Sequence, residues 1–133
     1  MIQEIGGLLG TFTGVLIIMA ACNFVFKFIN RKWGKKIRVN EKNGKKLNSI
    51  IKFFSKQHVR FGVLAIVIMV IHVIFQYSWY GLSKTGMIAL IIMGLQGILG
   101  IMLKKNKNNK KTILMFHRLV PIMLIIILAF HPA

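Results

Sequence analysis

Cysteine is nearly absent from this sequence, with Cys22 the only one in 133 residues. A single thiol excludes an internal disulfide and a metal site built from several cysteines. It also excludes the C-x-x-C-H motif that attaches a haem covalently. Any haem in this chain would therefore be held noncovalently.

Acidic residues are almost as scarce, since Glu4 and Glu41 stand against 19 lysines and arginines, for a net charge of +17. Such a charge can indicate nucleic-acid binding, but the positions of the cations do not. Twelve fall between residues 27 and 60 and six between 104 and 118, which leaves only Lys84 elsewhere. Neither basic run, KNGKK or KKNKNNKK, has interleaved aromatic residues. We therefore expect no nucleic-acid partner, and attraction to anionic lipid accounts for the distribution.

Apolar residues make up 56% of the chain, and the mean hydropathy is +0.68. This is too apolar for a water-soluble domain of this size, so we expect one integral membrane domain over residues 1–133. A hydrocarbon core of about 30 Å requires about 20 residues of helix, and strands with open edges are excluded in lipid. Four segments qualify, which predicts an all-α, up-and-down four-helix bundle with helices over about 5–28, 47–80, 84–104 and 111–131. Residues 31–46 are expected to form a loop.

Orientation follows from the two basic regions, which the positive-inside rule assigns to the cytoplasm. Both termini and the turn near residues 80–85 then face outward, with Tyr77, Trp79 and Tyr80 at the outer interface. The abundance of lysine, asparagine and isoleucine suggests an AT-rich bacterial genome, so the expected location is a bacterial plasma membrane.

All four histidines fall into two pairs with the same spacing, because His58 and His72 are 14 residues apart and so are His117 and His131. Fourteen residues of helix bring two side chains to nearly the same face, about 21 Å apart along the axis. If the second and fourth helices run parallel, His58 meets His117 near the cytoplasmic side and His72 meets His131 near the outer side. These are called the inner pair and the outer pair below.

Histidines inside a bilayer are costly and suggest function. An interhelical hydrogen bond explains one histidine but not a repeated spacing. A proton relay would need carboxylates nearby, and a metal site would more usually add a carboxylate or sulfur ligand. The only two acids, Glu4 and Glu41, lie outside the apolar segments. The pairing instead favours two noncovalent haem b groups, each held by two axial histidines: His58 with His117, and His72 with His131.

Small residues and arginines near the histidines are candidates for cofactor contacts. Gly62 and Pro121 each lie four residues after an inner histidine, where they would make room beside a flat macrocycle. Arg60 and Arg118 are candidates to pair with inner propionates, although topology signalling explains them equally well. Lys84, Tyr77 and Tyr80 are weaker candidates for the outer propionates. Glycines at matching depths would provide clearance for a haem or close helix packing: Gly10 and Gly14 in the first helix, Gly97 and Gly100 in the third.

With paired histidines on two helices, the chain resembles the membrane di-haem cytochromes b, including the four-helix cytochrome b561 type and the transmembrane core of ferric reductases. The resemblance covers nearly the whole chain but its specific part is the four histidines, and no nicotinamide- or flavin-binding domain accompanies them. It implies electron transfer across the membrane, from quinol or a cytosolic flavoprotein to an extracytoplasmic acceptor. A haem-free transporter or channel with a histidine relay, and a haem-bearing anchor subunit of a larger complex, remain alternatives.

Overall fold

The computed structural model describes residues 2–81 and 83–131 and folds them into four helices. These are α1 (Ile2–Ile37), α2 (Glu41–Tyr80), α3 (Lys84–Lys105) and α4 (Lys110–Ala129). Each helix is long and apolar enough to cross a membrane, and the described ranges contain no strand. The predicted all-α architecture of four membrane-length helices is confirmed.

The predicted loop over residues 31–46 is wrong, because α1 continues to Ile37 and α2 begins at Glu41. Lysine and arginine are good helix formers, and the side chain of Asn40 caps α2 by accepting from the Lys42 and Asn43 amides at 3.0 and 3.4 Å. Arg38 ties the two helix ends together through Asn30 Oδ1 at 2.7 Å and Asn48 Oδ1 at 3.2 Å. The basic segment is therefore a packed helical hairpin.

Helix α2 runs without interruption through His58 and His72, as the predicted helix over residues 47–80 requires. Helix α4 ends at Ala129, two residues before the predicted end, so His131 lies in a turn beyond the helix. The amide of His131 donates to the Leu128 carbonyl at 3.2 Å, an i to i−3 bond of the kind that tightens a last helical turn. His131 is thus fixed to the end of α4 without belonging to it.

The four helices pack in a ring, in which α1 contacts α2 and α4, and α3 contacts the same two helices. Within the described residues, no α-carbon of α2 comes within 8 Å of one in α4. The two helices that carry the histidines therefore occupy opposite corners of the bundle. This arrangement turns the histidines toward a shared central space.

The buried core lies in one layer of the bundle, between the levels of the two histidine pairs. On α2 it consists of Ala65 and Met69, between His58 and His72, and on α4 of Leu124. Helices α1 and α3 complete this layer with Leu16, Ile17, Ala89 and Met93. The imidazoles above and below it are only half-buried, so the bundle is most tightly packed midway between the two pairs.

Candidate functional site

The inner pair is brought together across the bundle, with the ring centroids of His58 and His117 5.9 Å apart. The two ring planes are nearly perpendicular, at 82°. Two imidazoles bound to opposite sides of one metal ion, with metal–nitrogen bonds of about 2.0 Å, have centroids about 6 Å apart. The separation of the inner pair is therefore compatible with ligation of a single metal ion between α2 and α4.

His131 lies near enough to His72 to act on its ring electrostatically, which places the two residues in the same region of the bundle. The corresponding interaction links His58 and His117 in the inner pair. The structure thus brings the rings of His58 and His117 together, whereas the pairing of His72 with His131, which lies in the turn after α4, stays a prediction. The site consists of two histidine pairs separated by the packed core layer.

Backbone carbonyls of α1 orient both histidines of α2. The Nδ1 atom of His58 lies 3.0 Å from the Ala20 carbonyl, and that of His72 lies 3.0 Å from the Gly6 carbonyl. A carbonyl can only accept, so each Nδ1 carries the proton and the Nε2 of the neutral ring keeps its lone pair. Because Ala20 and Gly6 are also 14 residues apart, α1 supplies acceptors at the same repeat at which α2 supplies histidines.

His131 has a hydroxyl at the corresponding place, since its Nδ1 lies 2.8 Å from Thr85 Oγ1 in the first turn of α3. A hydroxyl can accept the Nδ1 proton as a carbonyl does. Histidines that bind metals commonly donate their other ring nitrogen to a carbonyl, carboxylate or similar group, which fixes the ring and its tautomer. Three of the four imidazoles therefore have the secondary hydrogen bond typical of a ligand, made through Nδ1 and not through Nε2.

His117 is arranged differently from the other three. Its Nδ1 is buried without a hydrogen-bond partner, and its Nε2 lies 3.5 Å from the amide nitrogen of Gln96 on α3. The same amide nitrogen donates to the His117 carbonyl at 3.0 Å. That carbonyl is available because Pro121, four residues later in α4, has no N–H to donate to it. Gln96 thus replaces the helical hydrogen bond that Pro121 removes.

The candidate glycines divide according to what a side chain would meet. A Cβ at Gly10 would come within 3.1 Å of His72 Cε1, and one at Gly100 within 3.5 Å of His117 Cε1. Gly97 instead faces Ile66 of α2, with a contact of 3.1 Å, which is helix packing. Gly14 and Gly62 have nothing within 4 Å. Gly10 therefore allows the close approach of an imidazole, which a methyl group there would displace by a few tenths of an ångström, whereas Gly14 and Gly62 border open space.

The two candidate arginines are exposed and have protein partners. The Arg118 guanidinium lies over the Phe24 ring, 5.3 Å from its centroid, and Arg60 donates to Gln57 at 3.4 Å. Arg60 is two residues from His58, so it projects from a different face of α2. At the other end, Lys84, Tyr77 and Tyr80 are exposed. Arg118 lies near enough to His117 to act on its ring electrostatically, and the role of all these side chains toward propionates stays a prediction.

Gln96 and Thr85 are functional candidates that the sequence analysis missed. The sequence contained two indications of Gln96. Pro121, four residues after His117, predicts that the His117 carbonyl lacks its helical hydrogen bond, and Gln96 is a polar residue within an otherwise apolar span. The Ala20 and Gly6 carbonyls had no such signal, because every residue has a carbonyl. Thr85 was assigned to the turn near residues 80–85, so no contact with a histidine was expected for it.

The donor set suits a metal ion that takes two ligands from the protein. Among the described residues, no group of three or more histidine, cysteine, aspartate or glutamate side chains could hold a metal ion. Two imidazoles per site fit a haem, whose macrocycle supplies the remaining ligands. Comparison of the chain with protein-family models, with curated proteins and with solved structures finds no match. The resemblance to di-haem cytochromes b therefore stays a prediction from the histidines.

Proposed function

We propose that this chain is a di-haem cytochrome b that transfers electrons across a membrane. Each haem b would be held by one histidine from α2 and one from the α4 end of the bundle. The observation that carries the proposal is the paired orientation of these rings. His58 and His72 direct Nδ1 to carbonyls of α1, His58 meets His117 across the bundle, and His131 lies near enough to His72 to act on it electrostatically.

His58 with His117 and His72 with His131 would each hold one haem, which would supply one-electron transfer when bound by two histidines. The chain's own contribution is to hold and orient the rings. Helix α1 fixes the tautomer of both α2 histidines, and Thr85 fixes the ring of His131. The packed layer around Ala65, Met69 and Leu124 separates the two sites and excludes water between them. This supports stepwise transfer between two sites about 21 Å apart along the helix axes.

The arrangement of charges supports an up-and-down topology with both termini outside. Lys27, Lys52 and Lys111 each lie six or seven residues from the level of the inner pair, or about 9 to 11 Å along their helices. These lysines would mark the cytoplasmic edge of the bilayer. Tyr77, Trp79 and Tyr80, which are exposed at the other end of α2, would mark the outer edge. The expected location is a bacterial plasma membrane.

On the cytoplasmic side of Lys27 and Lys52, the paired ends of α1 and α2 form a basic hairpin of residues 28–51. It contains eight lysines and arginines and one acid, Glu41, which is paired with Lys45 at 2.6 Å. Ten residues of α1 in this hairpin extend about 15 Å, past the reach of the lipid surface charge. This surface favours an acidic soluble donor such as a cytosolic flavoprotein over quinol. The acceptor would act at the outer pair, on the extracytoplasmic side.

A visible spectrum of the purified chain, oxidised and then reduced with dithionite, tests the proposal. We expect the absorption bands of a low-spin b-type haem. A colourless protein that is folded and helical would contradict the proposal and favour a haem-free transporter with a histidine relay. Bound haem together with stable partner subunits and no reduction by quinol or a flavoprotein would favour an anchor subunit.

A further inference from the structure

Two buried polar atoms beside the inner pair have no hydrogen-bond partner, Nδ1 of His117 and Oε1 of Gln96. Buried polar groups without partners cost free energy and call for an explanation. The two residues already touch at two other points, because the Gln96 amide nitrogen donates to the His117 carbonyl at 3.0 Å and lies 3.5 Å from Nε2 of the same histidine. Nε2 of His117 therefore faces Gln96 in this structure. One atom is a potential donor and the other an acceptor, and the two residues that carry them are in contact.

The other three histidines indicate what His117 lacks. Each of them directs Nδ1 to an oxygen atom: the carbonyls of Ala20 and Gly6, and the hydroxyl of Thr85. A histidine that binds a metal through Nε2 must carry its proton on Nδ1, and that proton requires an acceptor. Gln96 Oε1 is the buried acceptor without a partner on the residue that contacts His117.

Pro121 explains why position 96 has an amide side chain. Proline cannot donate to the His117 carbonyl, so the side chain opposite must supply a donor. An amide has a donor and an acceptor together, and can therefore serve both the carbonyl and the ring of one residue. Threonine, as at position 85, could supply only the single hydroxyl.

We propose that Gln96 is the positioning residue of the inner site, whose Oε1 accepts the Nδ1 proton of His117 when Nε2 turns toward His58. Its amide nitrogen keeps the bond to the His117 carbonyl. Gln96 thereby completes a set of four acceptors, one for each histidine. This inference rests on the proposed di-haem function, and it adds that the inner and outer haems depend on different side chains, Gln96 and Thr85.

The test is a redox titration of the purified protein in neutral lipid, with the wild type compared to Gln96→Leu and Thr85→Val. Losing an acceptor makes the imidazole a weaker electron donor, which favours the reduced haem. We expect Gln96→Leu to raise the midpoint potential of the inner haem alone, and Thr85→Val that of the outer haem alone. The ferric EPR signal of the affected haem should shift with the potential. If Gln96→Leu does not accumulate, Gln96→Met, whose side chain is similar in length to glutamine, is measured in its place.

Ser55→Ala is the matched control. Ser55 lies one turn from His58, and its hydroxyl donates to Asn23 at 2.9 Å without touching a ring. Loss of the Ser55 hydroxyl should leave the midpoint potentials of both haems unchanged. The inference is overturned if Gln96→Leu and Gln96→Met leave the midpoint potential of the inner haem unchanged, or if they shift the potentials of both haems equally. It is also overturned if Ser55→Ala shifts the inner potential by as much as the Gln96 variants do. A wild-type chain without haem overturns the proposed function as well, whereas two wild-type haems with an unresponsive inner site overturn only the role of Gln96.

Discussion

Gly10 offers a direct test of whether the precise placement of His72 matters. In Gly10→Ala the new methyl group would lie 3.1 Å from Cε1 of His72, so the ring must move by a few tenths of an ångström. The ring is also held by its 3.0 Å bond to the Gly6 carbonyl, and the shift strains that bond. A typical hydrogen bond contributes about 0.5 to 1.5 kcal/mol. We therefore expect the outer haem to bind about 2- to 10-fold more weakly.

Gly14→Ala is the matched control for this prediction. Both substitutions stabilise the helical form of α1 by about 1 kcal/mol, because alanine is the better helix former. A methyl group at Gly14 would meet nothing within 4 Å, so only Gly10→Ala disturbs an imidazole. The assay is titration of haem into haem-free protein, followed by visible absorbance and resolved for the outer site. Equal affinities in the two variants, or tighter binding in Gly10→Ala, would refute the placement of His72 beside α1.

Three further predictions concern the histidines, the arginines and the open space near the inner pair. We expect His58→Ala to remove only the inner haem and His72→Ala only the outer one, measured by haem content and redox titration; loss of both from a folded four-helix protein would contradict pairing by depth. Replacing Arg60 and Arg118 together by glutamine should lower the inner midpoint potential, because cations favour the reduced haem. An equal shift at both haems, or none, would refute these arginines as inner partners. Gly62→Leu should reduce haem content if the open space beside this glycine admits the macrocycle; full occupancy in this variant would identify the space as lipid-facing.

The sequence was sufficient to predict the four helices, because 20-residue apolar segments have few other solutions in lipid. The shared spacing of 14 residues also predicted that His58 meets His117, and the pairing of His72 with His131 stays a prediction. The hairpin of residues 28–51 was missed because a run of lysines was interpreted as a solvated loop. Its helical state depends on packing between α1 and α2, where Gly34 and Gly44 are buried, and such contacts leave little trace in local composition.

The hydrogen bonds that orient the rings were the least predictable part of the site. Two of the acceptors are backbone carbonyls, at Ala20 and Gly6, and only the register between α1 and α2 selects them. The end of α4 was also predicted two residues too far, since helix ends fray and tighten in ways that hydropathy does not encode. The ring of His131 is held in place despite this, because Thr85 contacts it from α3.

The ratio of haem to protein tests the central claim most directly. It requires a pyridine haemochrome assay on the purified chain, with protein measured by quantitative amino-acid analysis. Two histidine pairs predict a ratio of two haem b per chain. A ratio near zero would contradict haem binding altogether, and a ratio near one would contradict the second site.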